Sequence, residues 1–482
     1  MGERKVSKGA DVLFVYTNIN GFHSDVYSFG IGYLSSVLKN SGFQPKLIIV
    51  RSKKDYKKVL KAVLEERPKV IGFSAVSSQF VFICELAKMI KRIHKGIIVC
   101  GGVHPTIFPE SLFSSFLFDG FFIGESESSF VDFVSNVRAG ARYQDTDNFC
   151  YVDTNRLVKN KLRPRVKNLE DLPFPDRDIY DYQSIINENN SMATIMTSRG
   201  CPFHCTYCSN YAIARVYGEE NNIIRYNSVE KSLEEIDVLK TKYTFDKLYF
   251  IDDLFILNRN WLDDFLPNYK KRFKLSFMCH IRPDVCTKDI LFRLKDAGCY
   301  RIFLAVESAN DYIRNVVFKR DITKAQLENV FTWAKEAGLE TQSVNIIGVP
   351  NETEETILET INFNRKMNPT VTGVNIFSPY EGTELGDYCR EKGLLRKNNP
   401  CKFFDRRQSR LTLPTIKNAK LMKLYKRFQY LVYKDIDLLR ARRVLWISNY
   451  ERLERNIFLG PFFRRFRKIA KLGGNIMLPK RS

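Results

Sequence analysis

The sequence predicts an α/β protein with two successive domains: a doubly wound, Rossmann-like sheet, then a partial, TIM-like (β/α)6 barrel. A helical, basic C-terminal region follows. Short apolar runs alternate with helical patterns twice along the chain, and a Pro-rich, charged stretch separates the two series. A chain of 482 residues is also too long for one ordinary core. We therefore expect domains over 1–140, 191–397 and 398–482, with a linker over 141–190.

The first series contains five short runs that are nearly continuous in apolarity, as expected for parallel strands covered by helices on both faces. These runs are VLFVYT, KLIIV, VIGFSAV, IIVCGG and DGFFIG. The helical patterns between them stop at Gly42 and Pro68. Such sheets bind ligands beyond the carboxyl ends of their strands. The sequence places Ser74, Gly101 and Gly102 there.

The second series contains six strand–helix units, whose strands are ATIMTS, KLYFID, LSFMCHI, RIFLAV, QSVNII and TGVNIF. Barrels of this kind carry their chemistry at the carboxyl-end face. Polar residues follow each strand, and we expect them on that face: three cysteines, Asp252, Asp253, Arg282, Glu307, Asn345 and Ser378.

Composition favours a globular protein of a reducing cytoplasm. Hydrophobic residues make up 44% of the chain and charged residues 27%. The 11 cysteines are an odd number without the spacing of a disulfide framework. The amino terminus lacks the pattern of a signal peptide, and no run is apolar enough for a membrane span. We expect a cytoplasmic protein.

Three cysteines lie within eight positions in the stretch SRGCPFHCTYCSN, namely Cys201, Cys205 and Cys208. Thiolates at such spacing bind zinc or iron–sulfur clusters. A closed zinc site needs a fourth protein ligand, for which His204 or a distant cysteine is available. A 4Fe–4S cluster held by three cysteines leaves one iron open to a small molecule. Strand context and spacing favour the cluster.

This C-x3-C-x2-C pattern after a first barrel strand resembles the radical S-adenosylmethionine (radical SAM) superfamily. The stretches YFIDDLF, FLAVESAN, NIIGVPNETEET and NIFSPYEGTEL extend the resemblance. It implies that S-adenosylmethionine chelates the open iron and is cleaved by one electron, which a donor such as flavodoxin or ferredoxin supplies. It also implies that Asp252 or Asp253 meets the methionine amino group, that Glu307 contacts the adenosyl ligand and that Arg282 lines the site. The alternative for these carboxylates is strand-end capping or ion pairing.

The first domain resembles the cobalamin-binding domain of one branch of this superfamily, through VIGFSAVSS, IIVCGGVHPTIFPE, DGFFIGESESSF and the linker DLPFPDRDIYDY. The resemblance implies that Ser74, Gly101 and Gly102 receive the nucleotide tail of cobalamin. The family's histidine loop is absent, because no aspartate lies two residues before His23. His104 lies beside a proline in a turn typical of the family. We therefore expect cobalamin with its own base detached and no protein histidine on cobalt.

The combined resemblance implies a cobalamin-dependent radical SAM methyltransferase that acts on an unactivated carbon of a small-molecule or lipid-like substrate. The substrate would lie between the two carboxyl-end faces, lined by Tyr380 and Arg282. Related enzymes cyclise, oxidise or rearrange their substrates, and these reactions remain alternatives. An RNA-modifying enzyme is a weaker one, because Cys84, Cys100 and Cys150 lack the shared spacing of a second cluster. A non-catalytic scaffold is the weakest.

The basic charge is concentrated at the C-terminus. Of a net charge of +22, most lies in residues 401–482, which contain 22 Lys and Arg against 5 Asp and Glu. Within it, LGPFFRRFRKIAKLGG predicts an amphipathic helix with aromatic and cationic faces. Such a helix either packs on the barrel or contacts an anionic membrane surface peripherally. We do not expect nucleic acid as a partner, because phosphate contact gives no reason for so regular an apolar face.

Overall fold

The computed structural model describes residues 9–19, 27–113, 116–218, 224–396 and 406–454, and the side chains of its last helix to Ile447. Three features of the sequence lie outside the described residues: His23, Cys401 and the amphipathic stretch 459–474. No helix among the described residues is long and apolar enough to cross a bilayer.

The first domain is a seven-stranded sheet in the order β2-β1-β3-β4-β5-β6-β7. The pairings among β1 to β5 are parallel, as the apolar runs predict, whereas β5-β6 and β6-β7 are antiparallel. The elements are β1 Val12–Thr17, α1 Phe29–Asn40, β2 Pro45–Val50, α2 Tyr56–Glu66, β3 Val70–Ser74, α3 Phe80–Lys91, β4 Ile97–Gly101, α4 Val103–Ile107, β5 Gly120–Phe122, α5 Glu127–Ala139, β6 Phe149–Asp153 and β7 Arg156–Lys159.

The β6-β7 hairpin lies inside the stretch that the sequence assigned to the linker. Thr154 and Asn155, both with positive φ, turn the chain between the two strands. The hairpin extends the first sheet by two strands, so we propose that the first domain ends near Lys159 and that the linker begins there.

The second domain is a six-stranded parallel sheet in the order β8-β11-β12-β13-β14-β15, which agrees with the predicted partial barrel. Strands β9 and β10 form a separate, short antiparallel sheet. The elements are α6 Tyr182–Glu188, β8 Met192–Ile195, β9 Ser198–Arg199, α7 Ser209–Val216, β10 Arg225–Tyr226, α8 Val229–Lys242, β11 Lys247–Phe250, α9 Arg259–Arg272, β12 Ser276–Ile281, α10 Lys288–Asp296, β13 Cys299–Glu307, α11 Lys324–Glu336, β14 Glu340–Ile347, α12 Glu354–Met367, β15 Val371–Ile376, α13 Glu384–Glu391, α14 Asn418–Tyr433 and α15 Leu438–Glu454.

Capping side chains fix where several barrel helices begin. Ser228, Asn258, Thr323, Thr353 and Thr383 each accept a hydrogen bond from a backbone N–H of the first turn. Such a cap contributes about 1 kcal/mol. It also fixes the length of the loop that precedes the helix, and therefore the position of each strand-end residue.

Along the barrel strands, outward-facing residues such as Phe250, Phe277 and Leu304 are fully buried beneath the helices. Tyr249, which alternates with them, is only half-buried and faces the barrel interior.

Helix α14 packs against the last strand of the barrel, and α15 packs against α14. Phe428 and Val432 of α14 are fully buried, and the Tyr433 hydroxyl donates to the Pro369 carbonyl at 3.1 Å. Helix α15 leaves large apolar side chains in solvent, with Leu439 79% and Trp446 48% exposed.

The linker and the first domain meet the barrel at a buried ion pair. Arg177 of the linker lies 2.7 Å from Glu235 of α8, and both side chains are almost fully buried. The Arg177 guanidinium also lies over the rings of Tyr27 and Tyr182. This contact holds the amino-terminal side of α1 against the barrel.

Candidate functional site

The carboxyl-end faces of the two sheets are turned toward each other. Helix α4, which follows β4, contacts α7, which follows the three cysteines. The loop after β15 also reaches the first domain: a Cβ on Gly382, whose φ is +81°, would approach the carbonyl oxygen of Ile107 to 2.0 Å. Glycine is therefore required at that contact. The polar ends of both strand series border one shared space.

The cysteine loop is held in place by backbone groups on either side of the barrel. The Thr206 N–H donates to the Phe318 carbonyl at 3.2 Å, and its hydroxyl donates to the Val317 carbonyl at 2.7 Å. The Leu385 N–H in turn donates to the Thr206 carbonyl at 2.9 Å. The middle of the loop is therefore fixed between the segment after β13 and the start of α13.

The cysteine thiols are enclosed and mutually close. Burial, with smaller contributions from the charges of Asp253 and Cys205, raises the pKa of Cys201 to about 11 and that of Cys208 to about 12. Thiols in this environment stay protonated until a cation arrives to stabilise the thiolates.

Asp252 supports the backbone just before the cysteine loop. Its Oδ1 accepts from the Thr197 N–H at 3.0 Å, from the Thr197 hydroxyl at 2.9 Å and from the Ser198 hydroxyl. Its Oδ2 is buried without a hydrogen-bond partner. Burial raises the pKa of Asp252 to about 6. These contacts are those of a strand-end capping residue.

Asp253 differs from its neighbour in its exposure and in its contacts. Its side chain is accessible to solvent, although the surrounding protein desolvates the carboxyl and raises its pKa. The Asn210 side chain hydrogen-bonds it, and its charge acts on Cys201 and Cys208. Asp253 therefore faces the enclosed space beside the cysteines, where Asp252 does not.

Arg282 lies directly behind the cysteine loop. Its Nη1 donates to the Cys205 sulfur at 3.5 Å, and its Nε donates to Asp284 at 2.8 Å. Its guanidinium lies 3.6 Å from the centre of the Phe203 ring. The side chain is buried, and it places a fixed positive charge against one thiol.

Glu307 ends β13 in the left-handed region, with φ 60°, at a register shift in its pairing with β14. This conformation is costly for a residue with a side chain and aims the carboxylate into the site. Tyr207 donates to Oε1 at 3.1 Å, and Arg320 lies 3.9 Å from the same oxygen. Oε2 is buried without a partner. Burial raises the pKa of Glu307 despite the charge of Arg320.

In the first domain, the turns after β3 and β4 bind each other. Ser74 pairs with Gly101, the Ala75 N–H donates to the Gly101 carbonyl at 2.8 Å, and the His104 N–H donates to the Ala75 carbonyl at 2.9 Å. Gly102 has φ +97°, and a Cβ there would lie 2.9 Å from the Ala75 carbonyl oxygen. The protein's own packing thus requires Gly102 to be glycine, whereas a Cβ on Gly101 meets only ordinary contacts.

Both ring nitrogens of His104 are engaged within the protein. Nδ1 lies 3.0 Å from the Ser77 hydroxyl and Nε2 lies 3.2 Å from the Ser111 hydroxyl. The ring packs on Phe80 with centroids 4.1 Å apart. Burial lowers the pKa of His104 to about 4, so the ring is neutral near pH 7.

The side chain of Asn345, one of the residues expected at the carboxyl-end face, points away from that face. The Asn345 side chain is buried between β15 and α12, where it donates to the Gly373 carbonyl at 2.8 Å and accepts from Asn364 at 2.9 Å. Asn345 was expected at the carboxyl-end face, and that expectation is wrong, because the alternation of β14 turns this side chain outward.

Sequence reasoning missed several residues that border the site. The contacts of Tyr207 and Arg320 with Glu307 were not expected from the sequence. Arg199, two residues before Cys201, forms ion pairs with Glu127 at 2.7 Å and Glu125 at 3.8 Å. Arg199 and these glutamates are far apart in sequence. The only indication of their pairing was the presence of charged residues in the stretches GESESSF and SRGC.

The residues present fit an iron–sulfur cluster with an open iron. Among the described residues, no three His, Cys, Asp or Glu side chains are grouped closely enough to hold one metal ion. A cubane cluster binds each cysteine through a different iron, so its ligands do not converge on one centre. The acidic Asp253 and the unpartnered oxygen of Glu307 border the same space.

Comparison with known families identifies both domains. The family model of the radical SAM superfamily matches residues 195–363, and that of the B12 binding domain matches residues 17–134. The two matches fall on the barrel and on the first sheet.

Curated relatives span both domains. The chain is 27% identical over 377 residues to an uncharacterized methyltransferase of Pyrococcus horikoshii, covering 78% of this chain and 81% of the relative. It is 24% identical over 392 residues to the anaerobic magnesium-protoporphyrin IX monomethyl ester cyclase of Rubrivivax gelatinosus, covering 78% and 69%.

A solved structure has the same fold. The radical S-adenosylmethionine methyltransferase TsrM from Kitasatospora setae, with cobalamin and a [4Fe-4S] cluster bound, superposes with a TM-score of 0.64 at 16% identity. The superposition covers 81% of this chain and 80% of that one.

Proposed function

Because the chain belongs to the cobalamin-dependent, B12-binding radical SAM enzyme family, we propose that it methylates an unactivated carbon of its substrate. It is an enzyme that uses a 4Fe–4S cluster, S-adenosylmethionine and cobalamin. The observation that carries the proposal is the arrangement of α4 against α7, which turns the two cofactor-binding edges toward one space.

The cluster supplies the electron that cleaves S-adenosylmethionine, and cobalamin supplies the carrier for the methyl group. In our proposal Cys201, Cys205 and Cys208 bind three irons. The Arg282 cation, 3.5 Å from the Cys205 sulfur, offsets the negative charge that the thiolates bring. The Thr206 contacts keep the loop from moving when the thiols lose their protons.

Two carboxylates are proposed to hold S-adenosylmethionine. Asp253 is accessible beside Cys201 and Cys208, so it is the candidate for the methionine amino group, whereas Asp252 holds the backbone beneath the loop. Glu307 has one buried oxygen without a partner and is the candidate for a hydroxyl or amino group of the adenosyl portion. Its strained backbone fixes the direction of that oxygen.

Cobalamin is proposed to lie along the edge formed by Ser74, Gly101 and Gly102. A Cβ on Gly101 would meet only ordinary contacts within the protein, so close approach of a ligand is our proposed reason for glycine there, whereas Gly102 keeps the β3 and β4 turns together. His104 cannot ligate cobalt without losing its contacts to Ser77 and Ser111. This supports the expectation of cobalamin with no protein histidine on cobalt.

The substrate is a small molecule, and we propose a lipid-like one that lies between the two edges near Tyr380. We also propose that flavodoxin or ferredoxin supplies the electron. Peripheral contact with an anionic membrane would bring such a substrate to the enzyme. Helix α15 supports this contact, since Leu439, Arg442, Arg443 and Trp446 share one helical face and are exposed.

Ring closure is the second candidate reaction. The relative from Rubrivivax gelatinosus is a cyclase and matches across both domains. A cyclase would form a new bond within its substrate and would transfer no methyl group.

The test is to incubate the anaerobically reconstituted enzyme with a reductant, S-adenosylmethionine carrying a CD3 group, and extracts of lipids and small molecules. Methyl transfer predicts a product that contains the intact CD3 group and depends on Cys205. Formation of 5′-deoxyadenosine with a product that has lost hydrogen but gained no deuterium would contradict it and favour the cyclase.

A further inference from the structure

Four largely buried charged residues join the first domain to the strand that leads into the cysteine loop. We call Glu125, Glu127, Arg199 and Arg225 the interdomain charge cluster. Glu125 and Glu127 lie between β5 and the first turn of α5, and the two arginines face each other on the β9-β10 pair. Arg199 is two residues from Cys201.

The contacts within this cluster are close, and the one between Arg225 and Glu125 is bidentate. Arg225 donates to both carboxylate oxygens of Glu125, with its Nη1 at 2.8 Å from Oε2. Arg199 donates to Glu127 Oε1 at 2.7 Å and lies over the ring of Tyr33 at 4.3 Å. The hydrogen bonds fix orientation as well as distance, because the guanidinium is planar.

Glu125 also connects the linker to this cluster. Its Oε2 accepts from the Val166 N–H at 3.2 Å, and Arg225 donates to the Val166 carbonyl at 2.6 Å. Burial pushes the pKa of Glu125 upward, but the hydrogen bond and charge of Arg225 outweigh it and lower the pKa. Three segments of the chain therefore meet at one carboxylate.

Stability alone does not account for this arrangement. The side chains of Arg199, Glu127 and Arg225 are 13%, 9% and 10% exposed, and Glu127 Oε2 and Arg225 Nε are buried without partners. Buried ion pairs lose most of their attraction to desolvation, so apolar residues of similar size would be as stable. Directional ion pairs instead restrict the groups that they join to one relative arrangement.

We propose that the interdomain charge cluster is a positioning device that fixes the cobalamin-binding edge relative to the cysteine loop. Its four residues touch neither cofactor edge directly and act through β9 and the turn after β5. The inference rests on both cofactors being bound, as in the proposed function, but not on the reaction being a methyl transfer.

The test measures the separation of the two cofactors without any substrate. Pulsed dipolar spectroscopy is applied to the holoenzyme with a reduced cluster and cob(II)alamin, in the wild type and in Arg199→Gln and Glu127→Gln. We expect one narrow distance distribution in the wild type and a broadened or shifted one in both variants. Iron content and corrinoid content should be unchanged in all three.

Two variants separate positioning from general destabilisation. Phe428→Ala removes a fully buried ring from α14, outside the contact between the domains, and should lower stability while keeping the narrow distribution. The exchanged pair Glu127→Arg with Arg199→Glu should narrow the distribution again relative to either single variant. Narrow, wild-type distributions in Arg199→Gln and Glu127→Gln would overturn the proposal, as would equal broadening in Phe428→Ala.

Hydrogen exchange provides a second readout that needs no cofactor. Faster exchange confined to the amides of 124–128 and 198–208 in Arg199→Gln supports positioning. Uniformly faster exchange across both domains would contradict it. Neither measurement depends on finding a methylated product, so failure of the proposed reaction would leave this result interpretable.

Discussion

The two cofactor-binding edges of this protein are constructed from different kinds of group. At the barrel edge, side chains carry the structure: Asp252 holds the backbone before the loop, Arg282 contacts a thiol, and Tyr207 donates to Glu307. At the edge of the first sheet, backbone hydrogen bonds and a required glycine join the turns, and His104 is neutral with both ring nitrogens engaged.

This difference matches the chemistry that each edge must serve. A cluster and a charged sulfonium compound need fixed charges and thiolate ligands, which only side chains provide. The cobalamin that we propose at the other edge, with its nucleotide tail detached, needs close approach to the backbone, which small residues allow. Substitutions should therefore remove chemistry at the barrel edge and weaken binding or packing at the other edge.

The largest effect is expected from the cysteines. Replacing Cys201, Cys205 or Cys208 with alanine should abolish cluster binding and all cleavage of S-adenosylmethionine, since each thiolate ligates a separate iron. Iron analysis, visible absorption and assay of 5′-deoxyadenosine measure this. Cys84→Ala, on α3, is the matched control and should retain the cluster. A triple variant that keeps its iron–sulfur absorption would refute the assignment.

The adjacent aspartates should separate binding from stability. Asp253→Asn should weaken S-adenosylmethionine binding about tenfold to a hundredfold, because a hydrogen bond to a charged group contributes ~1.5–3 kcal/mol. Equilibrium dialysis of the reconstituted enzyme measures it. Asp252→Asn should leave the affinity within a few-fold of the wild type. A larger loss of affinity in Asp252→Asn than in Asp253→Asn would exchange the two roles.

Asp252 should also make stability depend on pH. Its pKa of about 6 in the fold exceeds the unfolded value, so the free energy of unfolding falls as pH rises from about 4 to 6. The shift corresponds to about 3 kcal/mol. Urea unfolding of the apo protein across this range should show that loss in the wild type and not in Asp252→Asn. If the free energy of unfolding changed with pH in the same way in both proteins, the prediction would be contradicted.

A smaller effect is expected at the first edge. His104→Asn should lower the free energy of unfolding by about 2 kcal/mol, through lost hydrogen bonds to Ser77 and Ser111. The spectrum of bound cobalamin should not change. A spectral change in His104→Asn, with Ser111→Ala as a control for loosened packing, would make the histidine a ligand.

The smallest effect concerns the C-terminal region. Full-length protein should float with anionic liposomes at low salt, because each surface cation contributes about 1 kcal/mol. A version ending at Arg455 should float less, and Leu439→Ser with Trp446→Ser should reduce flotation further. Equal flotation of all versions would leave packing against the barrel as the role of this region.

Much of this architecture is predictable from sequence, because parallel strands read as short apolar runs. The antiparallel hairpin after residue 148 was missed, since half-exposed strands in a polar stretch look like a linker. Its signal was Thr154-Asn155, two residues suited to a turn. The direction of Asn345 was also missed, because the position of a strand end within the alternation is uncertain by one residue.

The site could be predicted only where its residues lie together in one short segment of the sequence. The cysteine spacing is local and therefore readable, whereas Asp252 and Asp253 could be told apart only by their contacts. The pairing of Arg199 with Glu127 spans 72 residues of sequence. Nothing in a single sequence specifies which charges meet across such a distance.

The central claim, that one chain presents two unlike cofactor edges to a shared space, is most directly tested by electron paramagnetic resonance of the anaerobically reconstituted protein. We predict about four irons and one corrinoid per chain, with a cob(II)alamin signal that lacks nitrogen superhyperfine splitting. That signal should change when the neighbouring cluster is reduced. A nitrogen splitting that is lost on replacing a protein histidine, or a corrinoid signal indifferent to the cluster, would contradict the account.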